Sequence, residues 1–491
     1  MKKSKMLPIF LSAVTLLSSQ NIFFMSANAA ETEHEPSETA VYAVASGSVY
    51  TIDQGFKFEI FDNYASIVDF DEEEYSISDP EYGATHVLKV PGTVAYDDHD
   101  YNVEAISMQF NTDSSFTKII IPKTVKRLSA RTFKNKRNLE YVQFEKNSEL
   151  NEMKFNSGGC FEGCTNLKRI GVEETDKLPD SLTSIEDYTF YNCKSLKSIS
   201  ISDNVTKICS KAFTYCSDLE RITFSSKLTY IGSNAFEGCD SLKEISIPAT
   251  VETINAYAFS DCPELKKVKF ETYKIQARMN QNSLSDLNEG AFINCTNLTS
   301  AELPLSVHKC RIGKSCFENT ALTSVNIPPS ISSVGSRAFA NTKLENNYET
   351  KDGRAYAVGF FGSDTAINDN VFGDTYLNVD DDKVPRIAGI DEFSTAYKFV
   401  SGNFGKKYFV KLNGYDPFKL DYFGDLDGDG EVTSSDALVV LRMSVGLEEK
   451  RDDADIDSDG FITSADALEL LRFSVGLSSD ERIGKPVEIP D

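Results

Sequence analysis

The sequence predicts an α/β repeat solenoid with β-rich segments at its ends, followed by a small all-α domain near the carboxyl terminus. Phenylalanine recurs at positions 190, 213, 236 and 259, always 23 residues apart. A fixed interval of this length indicates supersecondary units that stack on one another. Between these phenylalanines apolar and polar residues alternate, which is the pattern of a half-buried strand. Near the carboxyl end, an acidic segment followed by an amphipathic stretch occurs twice, beginning at Asp425 and at Asp455.

The first 29 residues have the pattern of a secretory signal peptide. Lys2, Lys3 and Lys5 precede the apolar run Met6–Leu17, and Ala27-Asn28-Ala29 offers a cleavage site between small residues. A transmembrane anchor is the alternative, but serine and glutamine interrupt the apolar stretch. We therefore expect residues 1–29 to be removed and the mature protein to be secreted, without insertion in a membrane.

The next segment, residues 30–105, is predicted to be a polar lead-in followed by a β-rich amino-terminal cap. From Phe56 to Val103 the sequence alternates in the manner of strands, and the acidic run Asp71–Glu74 indicates a solvated turn. A stack of repeats needs a terminal unit that shields its first coil from water. Capping is therefore the expected role of this segment.

Residues 106–345 are predicted to form the repeated body of the protein. Each unit follows the pattern small/Thr–Phe–x–x–Cys–x–x–Leu. The repeat phenylalanines are Phe110, Phe133, Phe161, Phe190, Phe213, Phe236, Phe259, Phe292, Phe317 and Phe339. In one unit, Ile245 and Ile247 alternate with polar residues, Pro248 marks a turn, and a short helical or 3₁₀ turn carries Ala258 and Phe259. One unit is too small to bury its own apolar side, so neighbouring units close a continuous core.

Ten cysteines in a secreted chain suggest disulfides, but their positions follow the repeat. Six occur three residues after a repeat phenylalanine: Cys164, Cys193, Cys216, Cys239, Cys262 and Cys295. Cys160 and Cys316 directly precede such a phenylalanine, and only Cys209 and Cys310 lie elsewhere. Buried free cysteine behaves as a compact hydrophobic residue. The pattern therefore favours a ladder of reduced thiols over a disulfide framework, and it argues against Cys160 as a nucleophile.

After residue 345 the repeat period is lost, and residues 346–420 are predicted to be a β-rich carboxyl-terminal cap or small module. Ala355–Phe361, Tyr397–Val400 and Lys407–Leu412 are interpreted as short strands between turns. A carbohydrate-binding module is the functional alternative. Its stacking groups would be Tyr397, Phe404, Tyr408 and Phe409. Aromatic residues of strands are more often part of a core, which is the simpler interpretation.

Residues 421–491 contain the two acidic copies, DLDGDGEVTSSD from Asp425 and DIDSDGFITSAD from Asp455. Each has aspartate at positions 1, 3, 5 and 12 and glycine at position 6, the arrangement with which a 12-residue loop wraps Ca²⁺ in oxygen ligands. Position 7 contributes its backbone carbonyl, and position 9 acts through water. The predicted ligands of two calcium ions are Asp425, Asp427, Asp429, Glu431, Thr433 and Asp436, and Asp455, Asp457, Asp459, Phe461, Thr463 and Asp466.

An amphipathic helix is predicted after each loop, and Gly446 and Gly476 stand where such a helix would end. The apolar residues of the two helices are Ala437, Leu438, Leu441 and Val445, matched by Ala467, Leu468, Leu471 and Val475. The pair departs from an ordinary EF-hand, because no helical pattern precedes the first loop and position 12 is aspartate instead of glutamate.

This duplicated loop–helix arrangement resembles the type I dockerin of cellulosomal proteins over residues 421–480. The resemblance implies that the two segments pack as antiparallel copies and bind a cohesin module of a scaffoldin in a calcium-dependent way. It also implies cohesin contacts at Ser434, Ser435, Leu441, Arg442, Ser464, Ala465, Leu471 and Arg472. Two nearly identical copies imply two binding orientations, and the differences between Ser435 and Ala465 and between Met443 and Phe473 would bias the choice.

The body of the chain resembles the BspA-like leucine-rich repeat over about residues 100–345. The motif Ile-Pro-x-Ser/Thr-Val recurs in related form at Ile120–Val125, Ile247–Val251 and Ile327–Ile331. This resemblance implies a leucine-rich repeat solenoid and says little about activity.

Composition and motifs restrict the function. A net charge of −25 disfavours nucleic acid, because the phosphate backbone selects basic surfaces. The sequence lacks tryptophan, its four histidines are scattered, and it contains neither a GxSxG elbow nor a P-loop. No pair among the 75 acidic residues stands out as the carboxylate pair of a glycosidase.

The leading hypothesis is an extracellular, non-catalytic cellulosome component whose repeats bind another protein or a plant cell-wall surface. The alternative is a polysaccharide-degrading or carbohydrate-binding component with an unrecognised site. The outward strand positions of the repeats include Ser200, Thr223, Ser246 and Lys269. Their mixed chemistry favours an ordinary solvated face.

Overall fold

A computed structural model of the chain describes residues 42–43, 49–79, 81–154, 158–275, 278–303, 305–306, 309–345, 348–349, 355–362, 365–373, 386–389, 394–404, 406–411, 426, 432–447, 454–457, 461–475, 477 and 483. The predicted signal peptide lies outside the described residues. Among the helices within these ranges, none is both long enough and apolar enough to cross a membrane.

The amino-terminal segment is β-rich, as the sequence predicts. Its first four strands form an antiparallel meander: β1 (Tyr42–Ala43), β2 (Val49–Asp53), β3 (Phe56–Ile60) and β4 (Ala65–Phe70). Two short helices and three strands follow: α1 (Glu72–Ser78), α2 (Tyr82–Thr85), β5 (Val87–Lys89), β6 (Thr93–Tyr96) and β7 (His99–Ile106). Strand β7 pairs in parallel with β4 on one side and with the first repeats on the other. The sheet of this segment therefore continues into the repeats.

The acidic run Asp71–Glu74 begins a helix, so the prediction of a solvated turn is wrong. Asp71 is the N-cap of α1, and its Oδ1 accepts hydrogen bonds from the backbone N–H groups of Glu73 and Glu74, both at 3.0 Å. The helix dipole favours acidic side chains in a first turn. The Glu72 carboxylate also accepts a hydrogen bond from the backbone N–H of Ser115 at 2.7 Å, a partner 43 residues away that no local pattern indicates.

Two sets of parallel strands run through the repeats. Strands of the first set follow the leucine of each unit, or Phe116 in the first unit: β8 (Lys118–Ile121), β10 (Tyr141–Phe144), β12 (Arg169–Val172), β14 (Ser198–Ser200), β16 (Arg221–Thr223), β18 (Glu244–Ile247), β20 (Lys267–Phe270), β24 (Ser300–Glu302) and β27 (Val325–Ile327). Shorter strands form the second set: β9 (Arg127–Leu128), β11 (Glu152–Met153), β13 (Ser184–Ile185), β15 (Lys207–Ile208), β17 (Tyr230–Ile231), β19 (Thr253–Ile254), β23 (Asp286–Leu287), β26 (Cys310–Ile312) and β28 (Ile331–Val334). The insertion after β20 contains β21 (Tyr273–Ile275), β22 (Arg278–Asn282) and β25 (Leu305–Ser306).

The repeat phenylalanines form a continuous stack of rings in the core, which confirms the predicted solenoid. From Phe110 to Phe339 each ring lies nearly parallel to the next, with centroids 5.0 to 5.6 Å apart and interplanar angles of 2 to 19°. All ten rings are fully buried. Short hydrogen-bonded turns carry the rings in place of regular helices; in one coil the Ala258 N–H donates to the Asn255 carbonyl at 3.2 Å. The solenoid is therefore mostly parallel strands.

The cysteine ladder has the arrangement that the sequence predicts. All ten cysteines are free thiols, and nine of them are buried. Six thiols donate to the carbonyl of the repeat phenylalanine in the preceding coil, with S–O distances of 3.0 to 3.3 Å. Burial raises the pKa of Cys160 to about 12. Because the thiolate is the nucleophile, this thiol is poorly suited to catalysis at neutral pH.

Parallel pairing continues beyond residue 345, where the sequence pattern fades. After the hairpin of β29 (Tyr348–Glu349) and β30 (Ala355–Tyr356), the first set gains β31 (Val358–Phe360), β33 (Ile387–Gly389) and β34 (Phe409–Lys411), and the second set gains β32 (Ala366–Ile367). The predicted strand Ala355–Phe361 is therefore present as two strands. The strand predicted at Lys407–Leu412 is present only as β34, because residues Lys406–Tyr408 form a 3₁₀ turn before this strand.

The predicted strand Tyr397–Val400 is wrong, because these residues belong to helix α3 (Thr395–Asn403). The Ser394 side chain caps this helix, accepting from the Tyr397 N–H at 3.3 Å, and the buried Ala396, Phe399 and Val400 share one helical face. The rings of Tyr397 and Phe409 pack together at 5.1 Å, and Phe404 packs against Phe399. Three of the four predicted sugar-stacking aromatics thus contact other aromatic rings.

Candidate metal centre

Each acidic loop leads into a helix whose first turn is capped by loop residues. The helices are α4 (Ser434–Ser444) and α5 (Ser464–Ser474). The hydroxyl of Thr433 accepts a hydrogen bond from the Ser435 N–H at 3.1 Å, and the Asp436 carboxylate accepts from the Thr433 N–H at 2.7 Å. This reciprocal arrangement is a capping box. In the second copy, Thr463 and Asp466 form the same capping box.

The aspartate at loop position 12 also holds the start of the loop. Asp436 and Asp466 are fully buried. The second oxygen of Asp436 accepts from the Leu426 N–H at 2.7 Å, and that of Asp466 accepts from the Ile456 N–H at 2.7 Å. Each carboxylate therefore joins the second residue of its loop to the N-terminus of the following helix. This double use explains why a short aspartate serves at a position where a calcium loop usually has glutamate.

Three predicted calcium ligands of the second loop lie together. Carboxylate oxygens of Asp455, Asp457 and Asp466 are all within 4.8 Å of one another. Oxygen ligands around Ca²⁺ lie at about 2.3–2.6 Å from the ion, so two of them are separated by at most about 5 Å. The donor set and its spacing fit a calcium ion. The Phe461 side chain is 71% exposed, in keeping with a position that contributes only its carbonyl.

Several predicted ligands lie outside the described residues. They are Asp425, Asp427, Asp429 and Glu431 in the first loop and Asp459 in the second. Thr433 and Asp436, which the structure does describe, have the same cap hydrogen bonds as Thr463 and Asp466. The two loops are therefore equivalent where they can be compared.

The two helices share a small core that differs from the apolar residues singled out in the sequence. Ala437, Val440 and Met443 of α4 are buried together with Ala467 and Leu470 of α5. The predicted apolar residues other than the alanines are exposed: Leu438 by 56%, Leu441 by 38% and Val445 by 69%, and Leu468 by 49%, Leu471 by 38% and Val475 by 68%. Each helix thus has two apolar sides, and only one of them faces the core.

The exposed apolar residues of each helix form a stripe together with the predicted cohesin contacts. We define the docking stripes as Ser434, Leu438 and Leu441 of α4 with its C-cap residue Val445, and Ser464, Leu468 and Leu471 of α5 with its C-cap residue Val475. Spacings of four, three and four residues place each set on one helical side. The other predicted contacts, Ser435, Arg442, Ala465 and Arg472, are exposed beside these stripes. Sequence reasoning missed the exposure of Leu438, Val445 and their counterparts, because several adjacent apolar residues fit either side of a helix.

Comparison with protein families identifies both parts of the chain. Residues 103–177, 160–285 and 267–345 match the model of the BspA type leucine-rich repeat region, in six copies. Residues 423–473 match the model of the dockerin type I domain. No curated protein is a significant match to the chain.

Several solved structures are similar to this chain. A leucine-rich repeat protein from Bacteroides ovatus has 19% identity, with 73% of this chain and 71% of that chain covered and a TM-score of 0.34. The T. pallidum leucine-rich repeat protein has 20% identity, with 50% and 90% covered and a TM-score of 0.34. The pneumococcal vaccine antigen PcpA has 14% identity, with 74% and 97% covered and a TM-score of 0.34.

The duplicated capped loops and the stacked phenylalanine coils agree with these family assignments. A type I dockerin binds calcium, implies a cohesin partner and indicates an extracellular protein of a cellulosome, while a leucine-rich repeat region suggests protein binding. The chain joins a BspA-type leucine-rich repeat region to a type I dockerin domain.

Proposed function

We propose that the chain is a secreted, non-catalytic cellulosome component, attached through its dockerin and presenting its repeats to a second protein or to a plant cell-wall surface. The observation that supports this best is the equivalence of the two loop–helix units. Both have the same capping box and the same exposed docking stripe, as a module with two interchangeable binding surfaces requires. The segments before residue 106 and after residue 345 act in this proposal as caps of the repeat stack.

Two calcium ions are proposed, one in each loop. Titration calorimetry of the metal-free full chain with CaCl₂ should then give two equivalents. Asp457→Ala removes a predicted ligand that does not cap α5, so it should leave one tight equivalent. Asp62→Ala, which alters an exposed aspartate in the turn between β3 and β4, is the control and should retain both. Two tight ions in Asp457→Ala would contradict the ligand assignment.

The docking stripes are proposed as the cohesin contacts. Because either stripe can serve, Leu441→Ala or Leu471→Ala alone should change the affinity for a cohesin by a few-fold at most. The double variant should lose about 30-fold or more, since a central anchor contributes about 2 kcal/mol. Phe61→Ala is the matched control, because this side chain is 38% exposed, like both leucines. Loss of binding in one single variant would show that only one orientation is used.

The absence of catalysis is also open to test. The purified full chain, incubated with plant polysaccharides in the presence of calcium, should release no reducing sugar above a blank. Release that disappears when one pair of acidic residues is replaced would favour the alternative, a polysaccharide-active component.

A further inference from the structure

One face of the solenoid has the opposite charge to the rest of the chain. It consists of the first, second and fourth residues after the repeat leucine in five consecutive coils. Eight of these residues are basic: Lys168, Arg169, Lys197, Arg221, Lys243, Lys266, Lys267 and Lys269; two, Glu220 and Glu244, are acidic. The whole chain has a net charge of −25. We call this set of residues, with the polar residues between them, the basic stripe.

The strand register places residues of the basic stripe side by side. Glu244 of β18 is directly opposite Lys267 of β20, and Ser246 is opposite Lys269. In the neighbouring pair, Ser198 of β14 is opposite Arg221 of β16. Paired strands lie about 4.8 Å apart, so equivalent positions recur at that interval. The apolar residues between them, such as Val268, point into the core, and the stripe therefore faces solvent.

Most of these charges are not neutralised within the protein. Lys197, Arg221, Lys266, Lys267 and Lys269 are exposed and form no ion pair with any other residue that the structure describes. The remaining cations do have partners. Lys168 lies 2.8 Å from Glu140, Lys243 lies 3.6 Å from Glu220, and Arg169 pairs with Glu174. Unpaired like charges in rows repel one another, and an anionic partner would relieve this repulsion.

The side chains between the cations indicate what kind of anion fits. They are small and carry hydroxyls: Ser198, Ser200, Thr223 and Ser246. No exposed large apolar side chain of the described residues lies on the basic stripe. Protein interfaces depend on aromatic or apolar anchors, and single-stranded nucleic acids stack on aromatic rings. A hydrophilic chain with regularly spaced negative charges and many hydroxyls complements this surface better than a protein or a single-stranded nucleic acid does.

We propose that the basic stripe binds a linear anionic polysaccharide whose sugar units carry carboxylates, a polyuronate. The ammonium groups of Lys266, Lys267 and Lys269 and the guanidinium of Arg221 pair with the carboxylates. Ser198 and Ser246 already donate to Asp176 and Glu271, at 2.6 and 2.7 Å. Their hydroxyl oxygens therefore accept hydrogen bonds from sugar hydroxyls, as the oxygens of Ser200 and Thr223 do. This inference rests on the proposed function of the repeats as a binding module and names the class of ligand.

The test uses three soluble polymers and the full chain, loaded with calcium and then freed of excess ions, because free Ca²⁺ cross-links polyuronate chains. The first is polygalacturonate, the second is the same polymer fully methyl-esterified, and the third is poly-glutamate of equal charge. Polygalacturonate should bind, the esterified polymer should bind at least ten-fold more weakly, and poly-glutamate should be several-fold weaker because it lacks hydroxyls. Binding should also weaken from 50 to 200 mM salt, since exposed charges are screened.

Variants locate the site. Replacing Lys266, Lys267 and Lys269 by alanine should reduce the affinity for polygalacturonate about ten-fold, because an exposed ion pair is worth roughly two- to three-fold. Lys207→Ala is the matched control, since Lys207 is an exposed outward residue of a second-set strand, β15, and it should change nothing. Unchanged thermal unfolding would show that the triple variant is folded.

Several outcomes would overturn the proposal. They are absence of polygalacturonate binding, equal binding of the esterified polymer, equal or tighter binding of poly-glutamate, or an unaffected triple variant. Tighter poly-glutamate would indicate an acidic protein as the partner. Cohesin binding is measured on the same samples and depends on the docking stripes. Failure of the basic stripe with cohesin binding intact would therefore refute only the ligand class, whereas loss of cohesin binding would refute the proposed function.

Discussion

Replacement of Asp466 tests the dual role of the position-12 aspartate most directly. Its carboxylate accepts hydrogen bonds from the N–H groups of Ile456 at 2.7 Å, Asp457 at 3.2 Å and Thr463 at 2.8 Å. Asp466→Ala leaves these donors without their acceptor. Ile456 is fully buried, so its N–H cannot turn to water.

The expected cost follows from these contacts. A buried donor left unsatisfied costs about 1–3 kcal/mol, and loss of a helix cap costs about 1 kcal/mol. The sum is about 2–4 kcal/mol. Helix α5 has 11 residues, a length at which a helix without packing is marginal in water. Its opening should therefore become measurable even before calcium is considered.

Hydrogen exchange followed by mass spectrometry, in chelator, measures this opening. The amides of α5 should lose about 30- to 1,000-fold of their protection in Asp466→Ala, because each 1.4 kcal/mol is a factor of ten. Asp466→Asn retains one acceptor oxygen and should show an intermediate loss. Asp457→Ala is the control, since it removes a predicted ligand but leaves the cap intact. Equal protection of α5 in wild type and Asp466→Ala would refute the structural role.

Three further predictions concern the repeats. Phe236→Ala should lower the free energy of unfolding by about 3–5 kcal/mol, because the ring is stacked on Phe213 at 5.1 Å and on Phe259 at 5.0 Å. Denaturant titration measures this loss, and a loss below about 1 kcal/mol would contradict the ring stack. Burial raises the pKa of Cys216 to about 12. An aromatic disulfide reagent at pH 8 should therefore leave the buried thiols of the native protein unreacted, and it should titrate all ten cysteines after denaturation. A count far below ten would contradict the free-thiol ladder. Burial acts to raise the pKa of Glu318, but hydrogen bonds from Arg337 and Ser315, with the charges of Arg337 and Lys314, outweigh it and the pKa is lowered. The ionised carboxylate therefore stabilises the protein at neutral pH, and this contribution is lost as the pH falls through the lowered pKa. Glu318→Gln should accordingly be less stable than wild type at pH 7 and nearly equal to it well below pH 4, and a difference that persists in acid would show that the effect is not ionic.

Local patterns predicted much of the fold, because equivalent positions in every repeat unit have the same surroundings. Phe236 and Cys239 occupy the same core positions as their counterparts in other coils, so one interpretation applied to all of them. The pattern failed where the chain leaves the repeat. At Tyr397–Val400 the sequence predicts a short strand between turns, but a serine cap and apolar residues three and four apart form a helix.

In the candidate site, the acidic ligands could be predicted from the sequence, but the exposed side of each helix and the backbone hydrogen bonds could not. The local spacing of the acidic residues predicts the calcium ligands, and three of the predicted ligands, Asp455, Asp457 and Asp466, lie together in the structure. The exposure of Leu438 was not predictable from the sequence, because it depends on which side of α4 faces α5. The backbone hydrogen-bond partners of Asp466 could not be predicted from the sequence either, since a hydrogen bond from the Ile456 N–H requires the loop to fold back on the helix.

The sequence by itself determined the repeat period, the core phenylalanines and thiols, and two acidic loops with the spacing of calcium ligands, because each of these depends on residues close together in the chain. Tertiary structure alone decided which side of helices α4 and α5 remains exposed. It also showed that the exposed cations Lys266, Lys267, Lys269 and Arg221 form no ion pair with another residue that the structure describes, which the repeat period, although it places Lys269 on the outward face, does not reveal. The physical reason is that burial and charge density are properties of packed neighbours: a lysine becomes part of a basic stripe only when stacking brings equivalent positions about 4.8 Å apart.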